Sequence, residues 1–268
     1  MVAAFDVMST RSRLRQIGWL RAGWTVLRVL GAQFGGRPRL VDGLEALWRF
    51  RREYREYRAL SRGSDHVLRG GDIQPCLRDR TETTPVEPVY FYQDTWLARK
   101  LAEARPAEHV DVGSSAKAIA LIAQFLPVTM VDIRPVDLSV PGFKFVEGTL
   151  LALPFADGAV GSLSSICVIE HIGLGRYGDP LDARGTEKSA AELMRVLAAG
   201  GNLYVTVPVA EESRVEFNAH RTFTREHVLR LFAGLALVEE RYVYGREWGE
   251  RYLPERGFGT GLFHFKKP

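Results

Sequence analysis

His109-Val-Asp-Val-Gly-Ser-Ser-Ala-Lys117 decides the fold. A short apolar strand reaches Asp111, breaks at Gly113, and passes through two serines into an apolar helix beginning near Ala116. Nucleotide-binding α/β domains place such a strand–turn–helix where a cofactor crosses the edge of the sheet. Gly113 lets the backbone approach a ligand closely, and Ser114 and Ser115 keep the turn small. A dinucleotide loop would read Gly-x-Gly-x-x-Gly, and only Gly113 is present. The pyrophosphate of NAD needs the second glycine, so NAD is disfavoured.

Outward from this loop, strands and helices alternate. Strands are expected at residues 110–112, 128–132, 143–146, 162–169, 202–207, 237–244 and 261–265. Helices are expected at 116–125, 186–197 and 225–232. This alternation predicts a doubly wound, mostly parallel α/β sheet. The last two strands have no convincing helix between them and read as a C-terminal antiparallel hairpin. Asp132 ends the second strand about 20 residues beyond the loop, where a carboxylate accepts ribose hydroxyls. A ribose carboxylate without a phosphate loop points to S-adenosylmethionine (SAM), which has no phosphate. Gln93 and Asp111 are expected near its methionine end. Gly113, Ser114, Ser115, Asp132, Ile133, Thr149 and Leu150 would line the rest of the cofactor site. Thr149 stands where an acid commonly holds adenine, which leaves adenine to the Leu150 backbone and apolar packing.

Strand carboxyl ends line the ligand crevice of an open α/β sheet. Glu170 and His171 follow the fourth strand and His220 follows the fifth, so these three are the candidate catalytic groups. A neutral histidine suits a general base for a hydroxyl nucleophile. Arg176, Tyr177, Asp179, Asn218 and Arg221 are the candidates for acceptor binding, because Asn and Arg suit a polyhydroxylated or anionic molecule. His171 could equally only pack beneath the cofactor, and His220 could only fix its loop. No metal is expected, although Glu170, Asp179 and Asp182 lie close in sequence.

The chain has 268 residues, 46% apolar and 25% charged, ordinary values for a globular protein with a core. Its net charge of +4 is unevenly spread. Residues 1–60 carry twelve arginines, no lysine and five acids, while the remainder is near neutral. Helical spacing of apolar residues at 12–33 and 41–60, split by Gly35-Gly36-Arg37-Pro38, predicts a basic amphipathic extension. With Trp19 and Trp24 as interfacial aromatics, residues 11–60 would suit an anionic membrane surface. The alternative is a helical pair packed on the domain or on a second subunit, its arginines solvated. Arg21 and Arg28 interrupt the most apolar run, so no spanning helix is expected, and no signal peptide is read at the start. Cys76 and Cys167 are far apart and outside metal spacing, which fits a reducing cytoplasm. Three segments follow: the extension at 1–60, a linker with a lid-type helix at 61–105, and a cofactor-binding domain at 106–268.

Several stretches together resemble a known family. They are Tyr90-Phe-Tyr-Gln-Asp-Thr-Trp96, His109-Val-Asp-Val-Gly-Ser114, Asp132-Ile-Arg-Pro135, Glu170-His-Ile-Gly-Leu-Gly-Arg-Tyr-Gly-Asp-Pro180 and Phe217-Asn-Ala-His-Arg221. They look like a bacterial domain-of-unknown-function family within the class I SAM-dependent methyltransferase superfamily, found among surface-polysaccharide genes. The resemblance spans about residues 75–243. It implies a Rossmann-like class I methyltransferase fold of seven strands and methyl transfer, and it leaves the acceptor open; the first expectation is O-methylation of a sugar hydroxyl on a bacterial surface glycan or its lipid-linked precursor. A glycan or glycolipid would be the partner, at the inner face of the membrane, and a homo-oligomer is compatible with the reading. A scaffold protein that keeps the fold without turnover is the alternative. An RNA methyltransferase ranks below both, because the arginines lie on apolar-faced helices and not on a base-stacking platform; no nucleic acid is expected as a partner.

Overall fold

The computed structural model describes residues 40–66, 68, 71 and 73–268. The expected helix at 12–33, with Trp19 and Trp24, lies outside the described residues. The chain divides into two compact units, residues 1–85 and 86–268. In the first, α1 (Leu40–Leu60) carries Arg49, Arg51, Arg52, Arg55 and Arg58. Its Leu44, Trp48, Tyr57 and Leu60 are exposed. Glu53 pairs with Arg80 at 3.2 Å on the surface. Among the described residues, no helix is long and apolar enough to cross a membrane.

The second unit begins with α2 (Pro88–Ala104). Pro88 presets the first turn, and the Glu87 carboxylate accepts from the Tyr90 amide at 2.6 Å. The sequence suggested a lid helix on a linker. Instead α2 is built into the second unit, burying Trp96, Leu97 and Leu101. Trp96 Nε1 donates to Glu239 at 3.1 Å, and Lys100 pairs with the same carboxylate at 2.6 Å.

The sheet contains β1 (His109–Val112), β2 (Val128–Asp132), β3 (Phe143–Glu147), β4 (Val160–Ile166), β5 (Leu197–Val209), β8 (Ala236–Tyr244), β9 (Glu247–Gly249) and β10 (Gly259–Lys266). Its order is β3-β2-β1-β4-β5-β10-β8-β9. The five strands β1 to β5 run parallel, while β10 is antiparallel to both β5 and β8. This is the Rossmann-like, mostly parallel arrangement read from the sequence, with one added strand. The short β9 pairs with β8 at the edge, giving eight strands instead of seven. A separate hairpin, β6 (Arg214–Glu216) and β7 (His220–Thr222), follows β5. Sequence reading missed it because its strands are three residues long and mostly polar.

Helices α3 (Ala116–Ile122), α4 (Gly185–Val196) and α5 (Arg225–Leu231) complete a three-layer sandwich. The period-two alternation of the strands divides the core between the two faces. Leu203, Val205 and Val207 join Leu193, Val196, Val228 and Phe232 on one side. Tyr204, Met130 and Ile166 join Trp96, Leu101, Ile119 and Ile122 on the other. The fourth strand ends at Ile166 and not at residue 169, because Cys167 turns into the left-handed region at φ 54°. Glu170 and His171 therefore sit in a loop.

Trp96 is 2% exposed, so Trp96→Ala leaves a large cavity and removes the indole hydrogen bond to Glu239. The expected loss is about 3–5 kcal/mol, measurable as a lower urea midpoint with unchanged slope.

Candidate active site

At the carboxyl ends of β1, β2 and β4 lies a cleft lined by Gly113, Asp132, Ile133, Thr149, Leu150 and Tyr177, with Val112, Val131 and Ile172 among its apolar walls. Gly113 sits at φ 73°, and a Cβ there would stand 2.8 Å from Val168. The cleft thus depends on a residue without a side chain. Asp132 closes β2 with its side chain 11% exposed, and Oδ1 accepts from the Arg134 amide at 2.8 Å. Thr149 Oγ1 accepts from the Leu151 amide at 3.2 Å and folds its own turn.

A second cavity shares Gly113, Cys167, His171 and Tyr177 with the first. It adds Ser114, Ser115, Glu170, Arg176 and His220. Five predicted cofactor residues therefore surround one cleft, and all three predicted catalytic groups border the adjoining cavity.

His171 Nδ1 lies 2.7 Å from the Ala219 carbonyl. A carbonyl can only accept, so Nδ1 carries the proton and Nε2 keeps its lone pair. Burial holds the imidazole at a pKa of about 4, with Arg176 and His220 adding to the effect against the Ala219 bond. His171 is therefore neutral near pH 7. Its Nε2 stands 3.7 Å from Glu170 Oε1. Glu170 is 1% exposed, and its Oε2 has no hydrogen-bond partner among the described residues. Burial pushes its carboxyl up to about 8, so it is mostly protonated near pH 7. His220 Nε2 is also buried without a hydrogen-bond partner, 3.7 Å from Glu216, and its ring packs on Phe258.

Tyr177 stands between two guanidinium groups, Arg134 at 4.5 Å and Arg176 at 5.1 Å from its ring centre. Arg176 also donates to the Ala219 carbonyl at 3.0 Å. Asp179 lines the first cleft but folds the loop: Oδ2 accepts from the Gly173 amide at 2.6 Å.

Four candidates are placed elsewhere. Asp111 is fully buried beneath the loop, where it accepts from the Ser114 amide, the Ser114 hydroxyl and the Ser164 hydroxyl. Its carboxylate has inward partners and no surface for a ligand ammonium. Gln93 is 1% exposed and accepts from Cys167 Sγ and Thr206 Oγ1, so it sits under the crevice. Arg221 is buried behind the loop and donates to the carbonyls of Ile172 at 2.7 Å and Asp182 at 3.2 Å. Asn218, at φ 63°, makes the turn of the β6–β7 hairpin. Residues the sequence reading missed include Arg134, Cys167, Val168 and Phe258. Cys167 carried a signal, since it stands three residues before the specific Glu170–Pro180 run. Among the described residues, no group of three or more His, Cys, Asp or Glu is placed to hold a metal.

A family model described as Caenorhabditis protein of unknown function, DUF268, matches residues 156–247. That span holds the Glu170–Pro180 run and the hairpin with His220. The description names a nematode and no polysaccharide, so neither the bacterial origin nor the polysaccharide association expected from the sequence is supported. No curated protein matches the chain. Among solved structures, the 4+2 cyclase SpnF is 17% identical with a TM-score of 0.49, over 65% of this chain and 80% of its own. The N-methyltransferase NodS from Bradyrhizobium japonicum, solved with S-adenosylhomocysteine (SAH), is 15% identical with a TM-score of 0.47, over 68% and 89%. The 1,6-didemethyltoxoflavin-N1-methyltransferase from Burkholderia thailandensis, also with SAH, is 13% identical with a TM-score of 0.46, over 70% and 93%.

Glu170 gives a pH-dependent stability whose sign is fixed. A carboxyl raised in the folded state costs nothing below its unfolded pKa, and destabilises increasingly as pH rises towards about 8. Glu170→Gln should match wild type near about pH 4 and exceed it above about pH 8, by on the order of several kcal/mol. Urea unfolding at the two pH values checks this; a constant gap would show that Glu170 is not buried as a neutral acid.

Proposed function

We propose that the chain is a SAM-dependent methyltransferase that methylates a hydroxyl of a sugar, on a glycan or its lipid-linked precursor. The observation that carries the reading is the junction of the two cavities. A cleft with a ribose-type carboxylate, Asp132, shares Gly113 and His171 with a cavity holding Glu170 and His220.

The residues present fit the cofactor. Gly113 leaves room for close backbone approach, Asp132 would take the ribose hydroxyls, and Ile133 and Leu150 would pack on adenine. SAM supplies an electrophilic methyl group when bound. The chain's own task is to align the acceptor, exclude water and take the hydroxyl proton. His171 suits the last step because its lone pair is fixed on Nε2 by the Ala219 carbonyl. A base of low pKa suffices, since the acceptor oxygen becomes strongly acidic as its bond to carbon forms. Glu170 stands 3.7 Å from Nε2 as a mostly neutral carboxyl, so it leaves the proton on the imidazole, and His220 is the alternative base. Arg176 and Tyr177 would contact the acceptor at the rim.

The arginines and exposed Trp48 of α1 support a role for residues 11–60 in holding the enzyme near anionic membrane, on the cytoplasmic side. A scaffold without turnover is the second reading. Thr149 favours it, because its hydroxyl serves its own turn.

Calorimetry with SAH separates the two. Binding in the micromolar range is expected, weakened at least about tenfold by Asp132→Ala, a loss of about 1.4 kcal/mol or more. Absence of binding at high micromolar SAH would leave only the scaffold. For turnover, labelled methyl should pass from SAM into extracted glycolipids. His171→Ala should lower the rate by about a hundredfold or more, in the range of a lost general base. Full activity in both His171→Ala and His220→Ala would exclude a histidine base.

A further inference from the structure

Within the second unit, the outer faces of α2 and α3 form an apolar groove that is open among the described residues. Its walls are Val86 just before α2, Tyr90 and Phe91 from the start of α2, and Ala118, Leu121 and Phe125 from α3 and its end. Tyr90, Phe91, Leu121 and Phe125 are exposed by 54%, 55%, 64% and 56%. Four large apolar side chains more than half exposed in one groove mark a binding surface. Core packing does not explain them. The opposite faces of the same helices already bury Trp96, Leu97, Leu101 and Ile119. Asp94 lies in the groove, and burial there pushes its carboxyl up to about 6, as apolar surroundings would. The acids Glu87 and Asp94 outnumber Lys117, so the groove suits an uncharged chain better than an acidic one.

The groove adjoins the candidate active site. Tyr90 and Ser115 line it and also line the cavity of His171 and His220. A molecule reacting beside those histidines would leave the cavity over these two residues and enter the groove. We propose that the groove holds an uncharged hydrocarbon chain of the methyl acceptor, so that the acceptor is a glycolipid with its sugar in the cavity. The proposal rests on the methyltransferase reading and selects the lipid-linked acceptor over a free glycan.

The test uses the full chain and neutral alkyl maltosides below their micelle-forming concentrations, with maltose as control. Calorimetry should show affinity rising by roughly two- to fourfold per added methylene from octyl to dodecyl maltoside. Phe91→Ser combined with Leu121→Lys changes only exposed side chains and should weaken dodecyl maltoside at least about tenfold. SAH affinity should not change in that variant. Affinity independent of chain length, or equal for maltose, overturns the proposal, as does a variant that binds dodecyl maltoside like wild type. A wild-type dimer that the double variant turns into a monomer would assign the groove to a second copy and overturn it too. Chain-length dependence without any SAH binding would instead overturn the methyltransferase reading and leave the groove as a lipid site.

Discussion

Everything at the crevice depends on the way Asp111 is tied down. Its carboxylate accepts from the amide and hydroxyl of Ser114 and from the hydroxyl of Ser164, and Ser114 Oγ accepts in turn from the Ile166 amide at 3.0 Å. The loop after β1 and the end of β4 are thereby fastened to one buried anion. The network continues inward. His109 lies 2.8 Å from Ser162 Oγ through Nδ1 and 2.9 Å from Ser164 Oγ through Nε2. Ser164 spends its only proton on Asp111, so Nε2 must donate to it, and Nδ1 accepts from Ser162. Burial lowers the His109 pKa to about 3, which keeps this single tautomer neutral. The proton inventory closes without a spare donor, and such fully satisfied networks make a buried site rigid.

The loop carrying Glu170 and His171 is held by a different device. Arg221 reaches from β7 to the carbonyls of Ile172 and Asp182, and its amide donates to the Glu170 carbonyl at 3.0 Å. Gly173, at φ 83°, and Gly185 leave no space for a side chain: a Cβ would stand 2.1 Å and 2.2 Å from backbone oxygens of Asp182 and Ile172. Backbone packed this closely holds a loop in place without regular secondary structure. It also explains why so many polar residues in the Glu170–Pro180 run serve the loop itself, Asp179 among them.

The strand order, the turn at Gly113, and the placing of Asp132, His171 and His220 were legible because they follow from period, spacing and the rule that ligands meet strand carboxyl ends. Asp111, Gln93 and Arg221 were misread for one shared reason. Sequence places a residue at a strand end, but the side-chain direction there depends on partners distant in the chain: Ser164 for Asp111, Cys167 and Thr206 for Gln93, the carbonyls of Ile172 and Asp182 for Arg221. A polar residue at the correct edge can point towards the ligand or away from it, and periodicity does not distinguish the two. The end of β4 was misjudged because an apolar run, Val168-Ile169, continues past Cys167 although the backbone has already turned.

The carbonyl of Ala219 has two tenants, the His171 imidazole and the Arg176 guanidinium. It sits at the tip of a hairpin of only three residue pairs, beside exposed Phe217. One peptide group therefore sets the imidazole's tautomer and the position of the cavity's cation together. Tilting that peptide plane would release both at once, so the tip of the hairpin works as a single latch for the imidazole and the guanidinium.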